Sequence, residues 1–172
     1  LNIFGHEATD FPMNPKVAII GANKIGQLIA ENWLMNGAHV TVIERDLQVA
    51  NNLSGSSIGS HPNLEIIHGD HLDRDILTEV GIPDNHIAIA ALESDHESIA
   101  AALLASDMGV QRTGLLLYDA DLVKVTQRML TLDNIADGKA RGLNDFQAFA
   151  YGNFLSFATG VSQSIMPDYK WF

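Results

Sequence analysis

The chain has 172 residues, 47% of them hydrophobic, enough to bury one main domain with an appendage. Ten Lys and Arg against 21 Asp and Glu leave a formal net charge of −11, which excludes the basic footprint of a nucleic-acid binder. Cysteine is absent, so disulfide frameworks, thiolate metal sites and cysteine nucleophiles are excluded too.

Residues 1–14 lack the basic start and apolar run of a signal peptide, and read as a linker or the tail of a preceding segment. From 16 to about 129, short apolar runs alternate with helix-period segments, the pattern of βαβ units around a parallel sheet. Strands are predicted at 16–20, 39–43, 64–67, 86–91 and 114–118. After the first strand, Ile25, Leu28, Ile29 and Trp33 share one helix face, and Gly37 stands where that helix should stop. A third helix is marked by Leu72, Ile76 and Val80 and closed by Gly81 and Pro83; a fourth by Ile99, Ala102 and Leu103, ended by Gly109. The alternation predicts an α/β fold, a Rossmann-like doubly wound parallel sheet over residues 15–130, with the ligand crevice along the carboxyl ends of the strands. Beyond Asp119 it fades: 122–132 reads as a helix, 137–144 as turns, and 131–172 as a C-terminal helical and aromatic extension that packs on the core or on a second subunit. The uncharged stretch 146–166 is long enough to be tested as a bilayer span, but residues such as Gln147, Asn153, Ser156 and Thr159 favour a packing or interface helix.

The strongest chemical signal lies at the first strand-to-helix turn. Gly21 ends an apolar strand and Gly26 lies inside the start of a helix, with Ala22, Asn23, Lys24 and Ile25 between them. Gly21 would permit a tight turn, Gly26 would let helix and strand approach, and the free amides of the helix start would face phosphate with a favourable dipole. The middle glycine of such turns is replaced by Asn23, whose side chain either swings aside or obstructs a pyrophosphate. The second strand ends in Glu44, a carboxylate able to accept from both ribose hydroxyls and to repel a 2′-phosphate, so NAD(H) or an adenine nucleotide is favoured over NADP. At the third strand end, Asp70 fits an adenine-side contact or a helix cap equally well.

Together Gly21 to Gly26, Glu44-Arg45-Asp46, His68-Gly69-Asp70 and the Ala91-to-Ser98 segment leading into the Ala-rich fourth helix resemble the TrkA N-terminal, or regulator of potassium conductance, family, over about 17–119. The resemblance implies a non-enzymatic, cytoplasmic regulatory domain that binds NAD(H), ADP, ATP or AMP and forms a homodimer or higher oligomer. It also implies a role in gating a membrane potassium transporter or channel subunit, peripheral to the inner face of the membrane and without inserting into it. It places phosphate on the amides of Ala22 to Ile25 and on Lys24, and the adenosine ribose at Glu44 and Arg45. Asp70 and His71, after Gly69, fall beside adenine, and Ala91, Leu92, Glu93 and Ser94 line the fourth-strand edge.

His68, His71 and Asp73 would make a metal cluster only if a strand-to-helix junction aimed them at one point, which favours ordinary histidines. Asp95, His96 and Glu97 fit a helix start, where acids offset the macrodipole. An NAD-dependent oxidoreductase is the rival, because the fold does not choose between catalysis and sensing; it needs a proton donor, and Tyr118 and Lys124 do not have the spacing of a shared helix face. A degenerate Rossmann domain kept only for assembly is the third reading.

Overall fold

A computed structural model of the chain describes residues 12–136 and 146–150. Six parallel strands, β1 (Lys16–Ile20), β2 (His39–Glu44), β3 (Leu64–His68), β4 (Ile87–Ala90), β5 (Arg112–Leu117) and β6 (Phe146–Ala150), form one sheet in the order β3-β2-β1-β4-β5-β6. The helices between them are α1 (Lys24–Met35), α2 (Leu47–Ser54), α3 (Arg74–Glu79), α4 (Asp95–Asp107) and α5 (Ala120–Ala136).

Strand alternation divides the core into two layers. Val17 and Ile19 of β1 pack with Val40, Val42, Ile87 and Ile89 against Ile29 and Trp33 of α1 and Leu53 of α2. Ala18 and Ile20 face the other way, with Ala88, Ala90, Leu115 and Leu117, onto Leu77 of α3 and Ala101, Ala102 and Ala105 of α4. The alanine stripe brings α4 close to the sheet, and β1, β4 and the Leu115 to Leu117 end of β5 carry apolar residues on both faces because helices cover both, whereas β5 opens with the buried polar pair Arg112 and Thr113.

The expected α/β class, the five strands and the first, third and fourth helices are present, with boundaries moved by a few residues. Three details differ. Leu28, Leu72 and Leu103, expected on buried faces, are partly exposed at 39%, 39% and 36%. Leu72 is left out because α3 starts only at Arg74, after its cap Asp73. A short helix not foreseen, α2, follows β2; Asp46 caps it by accepting from Gln48 N and Val49 N, and Ala50 and Leu53 bury its inner face. Residues 146–150, expected inside a packing helix, form strand β6 on the open edge of β5, where Ala148 is buried. The expected linker at residues 1–11, the turns at 137–144 and the rest of the C-terminal extension, 151–172, lie outside the described residues. Among the described residues, no helix is long and apolar enough to cross a membrane.

Candidate functional site

The strand order reverses between β1 and β4, whose chain connections leave in opposite directions. A doubly wound sheet opens its ligand crevice there, outside the carboxyl ends of the strands. A cavity of about 690 Å³ lies on that edge, lined by Ala22, Asn23, Lys24 and Gln27 of the β1–α1 turn, Glu44, Arg45 and Asp46 after β2, Val49 and Asn52 of α2, His71 after β3, and Leu92, Glu93 and Glu97 beyond β4.

The turn is shaped by its two glycines. Gly21 has φ +108°, and a Cβ there would overlap the Ala91 carbonyl oxygen; a Cβ on Gly26 would overlap the carbonyl oxygen of Gly21 itself. Asn23 does not stand across the cavity. Its Oδ1 accepts from Gly26 N at 2.9 Å as the cap of α1, and its Nδ2 donates to the Ala91 carbonyl at 2.8 Å, fastening the turn to the end of β4. The Ala22 amide donates to Glu44 Oε1 at 3.0 Å. Among the described residues the amides of Asn23, Lys24 and Ile25 have no partner, and at the first turn of α1 they carry its positive dipole end.

Glu44 holds two loops at once: Oε1 takes the Ala22 amide and Oε2 takes Asp46 N at 2.8 Å. Each carboxylate oxygen keeps a second lone pair, so this cavity-lining group is fixed without being saturated. Arg45 reaches across to α4, pairing with Glu97 Oε1 at 3.1 Å and Oε2 at 3.3 Å. Ser94 caps α4 by accepting from Glu97 N at 3.4 Å, a capping-box spacing in which the Glu side chain turns to Arg45 instead of back to its cap. Asp95 ties α4 to the end of β5, accepting from Tyr118 N and Asp119 N.

Beyond β3, Gly69 donates its amide to the Glu44 carbonyl, and Asp70 accepts from Leu72 N within its own turn, while the cap of α3 is Asp73. His71 is 1% exposed and lines the cavity. Its pKa is pushed down first by burial and then by the Arg45 charge, against the opposing pull of Glu97, Asp70 and Glu44. His68 instead bonds the Arg45 carbonyl through Nε2 at 3.0 Å, and no group of three or more His, Asp or Glu among the described residues is placed to hold a metal ion.

The wall therefore gathers Ala22, Asn23, Lys24, Glu44, Arg45, His71, Leu92 and Glu93 of the sequence-predicted set. Gly21, Ile25, Gly26, Gly69, Asp70, Ala91 and Ser94 do not line it. Gln27, Asp46, Val49, Asn52 and Glu97 were not anticipated there. Asp46 before Leu47, Ala50 and Leu53 was the readable signal for α2, and the Ser94-x-x-Glu97 spacing marked the α4 start. Neither could show that Glu97 would span to β2.

Fold and crevice define a Rossmann-type α/β domain whose site lies at the topological switch of its sheet. The TrkA-N domain family matches residues 17–135, and the chain belongs to that family. Among curated relatives, the Trk system potassium uptake protein TrkA of Azorhizobium caulinodans is 32% identical over 118 residues, covering 65% of this chain and 23% of the relative. The protein of the same name from Streptomyces coelicolor is 32% identical over 114 residues, covering 66% and 49%. The chain thus spans about a quarter of the first relative's length and half of the second's. Among solved structures, the TrkA-N domain of the inner membrane protein ybaL from Escherichia coli superposes with a TM-score of 0.61 at 14% identity, covering 87% of this chain and 96% of that one. The GsuK channel bound to NAD gives 0.58 at 13%, covering 78% and 21%. At such identities the likeness is one of fold.

Proposed function

We propose that this domain is a nucleotide sensor: it binds NAD(H) or an adenine nucleotide (ADP, ATP or AMP) in the crevice and passes its occupancy to a membrane potassium transporter or channel. The observation that carries the reading is the start of α1, where the amides of Asn23, Lys24 and Ile25 have no partner among the described residues and where Asn23 and Lys24 line the 690 Å³ cavity together with the fixed Glu44 carboxylate. Phosphate sits on the amides and Lys24, and ribose hydroxyls take the remaining lone pairs of Glu44. A 2′-phosphate would meet Glu44 and Asp46, so NADP is disfavoured. Membership of the TrkA-N family and the potassium-uptake names of its relatives support the transport context, and the NAD bound by GsuK supports the ligand class. In that context the domain works in the cytoplasm at the inner face of the membrane, paired as a dimer or larger assembly, and different nucleotide ends shift the population of its paired arrangements.

The oxidoreductase reading needs a proton donor at the crevice, and Tyr118, its candidate, does not line the cavity. Calorimetric titration of the whole chain with NAD, NADH, NADP, ADP, ATP and AMP tests the sensor. Binding by the non-2′-phosphorylated nucleotides, weakened tenfold or more by Glu44→Ala, is expected. Binding by none of them would leave the assembly-only domain, and oxidation of NADH with small carbonyl compounds would restore the enzyme.

A further inference from the structure

Beneath the crevice wall lies a histidine with nothing to bond. The His71 side chain is 2% exposed, both ring nitrogens are shielded from the cavity as well as from solvent, and neither has a hydrogen-bond partner among the described residues. Folded chains pair nearly all buried polar groups, so an exception calls for a role. A ligand in the cavity does not reach these nitrogens, and the partner must come from the protein. One candidate is close. Glu97 Oε2 lies 3.9 Å from Nε2, beyond hydrogen-bond length but within ion-pair range once the ring is protonated.

What holds Glu97 away is Arg45, whose guanidinium takes Oε1 at 3.1 Å and Oε2 at 3.3 Å. Arg45 directly follows β2 and Glu97 stands in the first turn of α4, so the pair crosses the crevice from one half of the sheet to the other. It is not locked. Both side chains line the cavity, at 55% and 31% exposure, and an ion pair so open to solvent contributes little. The charged groups around the ring are Arg45, Glu97, Asp70 and Glu44. Burial and Arg45 oppose a proton there, and the three carboxylates favour one. Moving Arg45 away removes the one opposing charge and frees Glu97 in the same step.

Two cations therefore compete for one carboxylate. Resting on the nucleotide reading of the crevice, we propose that Glu97 is a two-position switch: it holds Arg45 while the crevice is empty, and holds protonated His71 once a nucleotide anion has drawn Arg45 to itself, so that nucleotide binding takes up a proton from solvent. With Arg45 on Glu97 and the ring neutral, the three groups carry no net charge. With imidazolium on Glu97 they gain a positive one, and released Arg45 joins Lys24 on a wall whose other charges, Glu44, Asp46 and Glu93, are acidic. His71 touches no ligand in either state. Because the complex binds more protons than the empty chain, affinity rises as pH falls.

The test is calorimetric titration of the intact chain between about pH 8 and about pH 6, in buffers of different ionisation enthalpy. The ligands are NAD, whose pyrophosphate does not titrate in that range, and ADP, whose own titration cancels between variants. Wild type is expected to bind NAD about threefold to tenfold more tightly at the acid end, with a buffer-dependent heat that reports proton uptake. His71→Leu is expected to lose the buffer dependence and to hold its NAD affinity within about twofold across the range. Arg45→Gln changes an exposed side chain and serves also where the leucine variant does not fold. It leaves Glu97 to the ring in the empty chain, so the His71 ring protons, followed by NMR, are expected to titrate at higher pH than in wild type. No proton uptake by wild type, uptake equal in wild type and His71→Leu, or a ring that titrates in Arg45→Gln where it does in wild type overturns the switch and leaves the nucleotide reading intact. Binding of neither nucleotide overturns that reading and the coupling together, and the NMR titration then decides by itself whether the two cations compete for Glu97.

Discussion

Asn23 occupies the position where a glycine gives a pyrophosphate room, and its side chain clears the way by bonding at both ends: to Gly26 N as a cap and to the Ala91 carbonyl as a strut. The two bonds use opposite halves of the amide, which makes them separable. Asn23→Asp keeps the acceptor for Gly26 but sets a carboxylate oxygen against the Ala91 carbonyl, so it is expected to cost about 1–2 kcal/mol in urea unfolding even though aspartate is itself a good cap. Equal stability of the two proteins would show that the strut to β4 contributes nothing. His71 acts through the proton. Its pKa in the folded chain lies below the ordinary 6.5, so as pH falls through that value the unfolded chain protonates first and binds more protons than the native one. Stability is therefore fully present above about pH 6.5, falls below it, and levels once pH passes the depressed native value. His86, lowered by burial and by Lys16, adds to the same slope. Thermal unfolding from about pH 8 to 5 is expected to show a shallower acid-side decline in His71→Leu than in wild type, with the His86 share remaining. An unchanged decline would mean that His71 is protonated as readily folded as unfolded. The sequence marks Asn23 as a replaced glycine and the resemblance sets His71 at the site, but neither the two bonds of Asn23 nor the burial of His71 is legible there, because side-chain direction at a strand end is set by elements distant in the chain.

Elements were more legible than residues, and unevenly so. β1, α1 and β2 announce themselves by apolar runs, a buried stripe and turn glycines, and they fall where the pattern puts them. α2 does not, because eight residues with only Ala50 and Leu53 buried give too short a period to count, and its cap Asp46 directly follows the Glu44-Arg45 pair of the strand end. β6 was hidden for a different reason. Phe146-Gln-Ala-Phe-Ala150 lies in a long uncharged stretch whose overall character suggests a helix, whereas the demand for a strand comes from β5, whose open edge it pairs. The same contrast between local and tertiary demands decides how the phosphate turn responds to mutation. A methyl at Gly26 meets the backbone carbonyl of Gly21, not a side chain that can rotate away, so α1 must shift off β1. Gly26→Ala is expected to lower stability by about 2 kcal/mol or more despite alanine's better helix propensity, and to weaken nucleotide binding in the same titration. By contrast Gly109→Ala, where nothing lies within 4 Å of the added methyl, is expected to cost only the backbone strain of φ +109°, about 1 kcal/mol. Urea midpoints of the two variants compare the effects directly, and a Gly26→Ala midpoint equal to that of Gly109→Ala would mean that the helix start is free to move.

At the scale of the molecule, the −11 net charge sets the terms on which a nucleotide anion can be held. The cavity wall repeats the imbalance, with Glu44, Asp46, Glu93 and Glu97 against Lys24 and Arg45, and Arg45 is already spent on Glu97. Attraction for phosphate is therefore confined to Lys24 and the α1 amides at contact range, whereas the long-range field repels it. Salt acts unequally on these two parts, because screening reaches about 30 Å at 0.01 M and about 8 Å at 0.15 M and so removes the distant repulsion before the contact attraction. Most basic phosphate sites weaken as salt is raised; here affinity for ADP and NADH is expected to hold or improve over that interval. ATP, whose added charge has only Lys24 to meet it, is expected to bind no tighter than ADP. Lys24→Gln removes the contact term and leaves the field, so it is expected to lower affinity several-fold and to steepen the improvement with salt. Titrations of both proteins at the two ionic strengths measure all of these together. A steep loss of affinity on adding salt, or ATP bound far more tightly than ADP, would mean that a basic surface outside the described wall is governing the encounter.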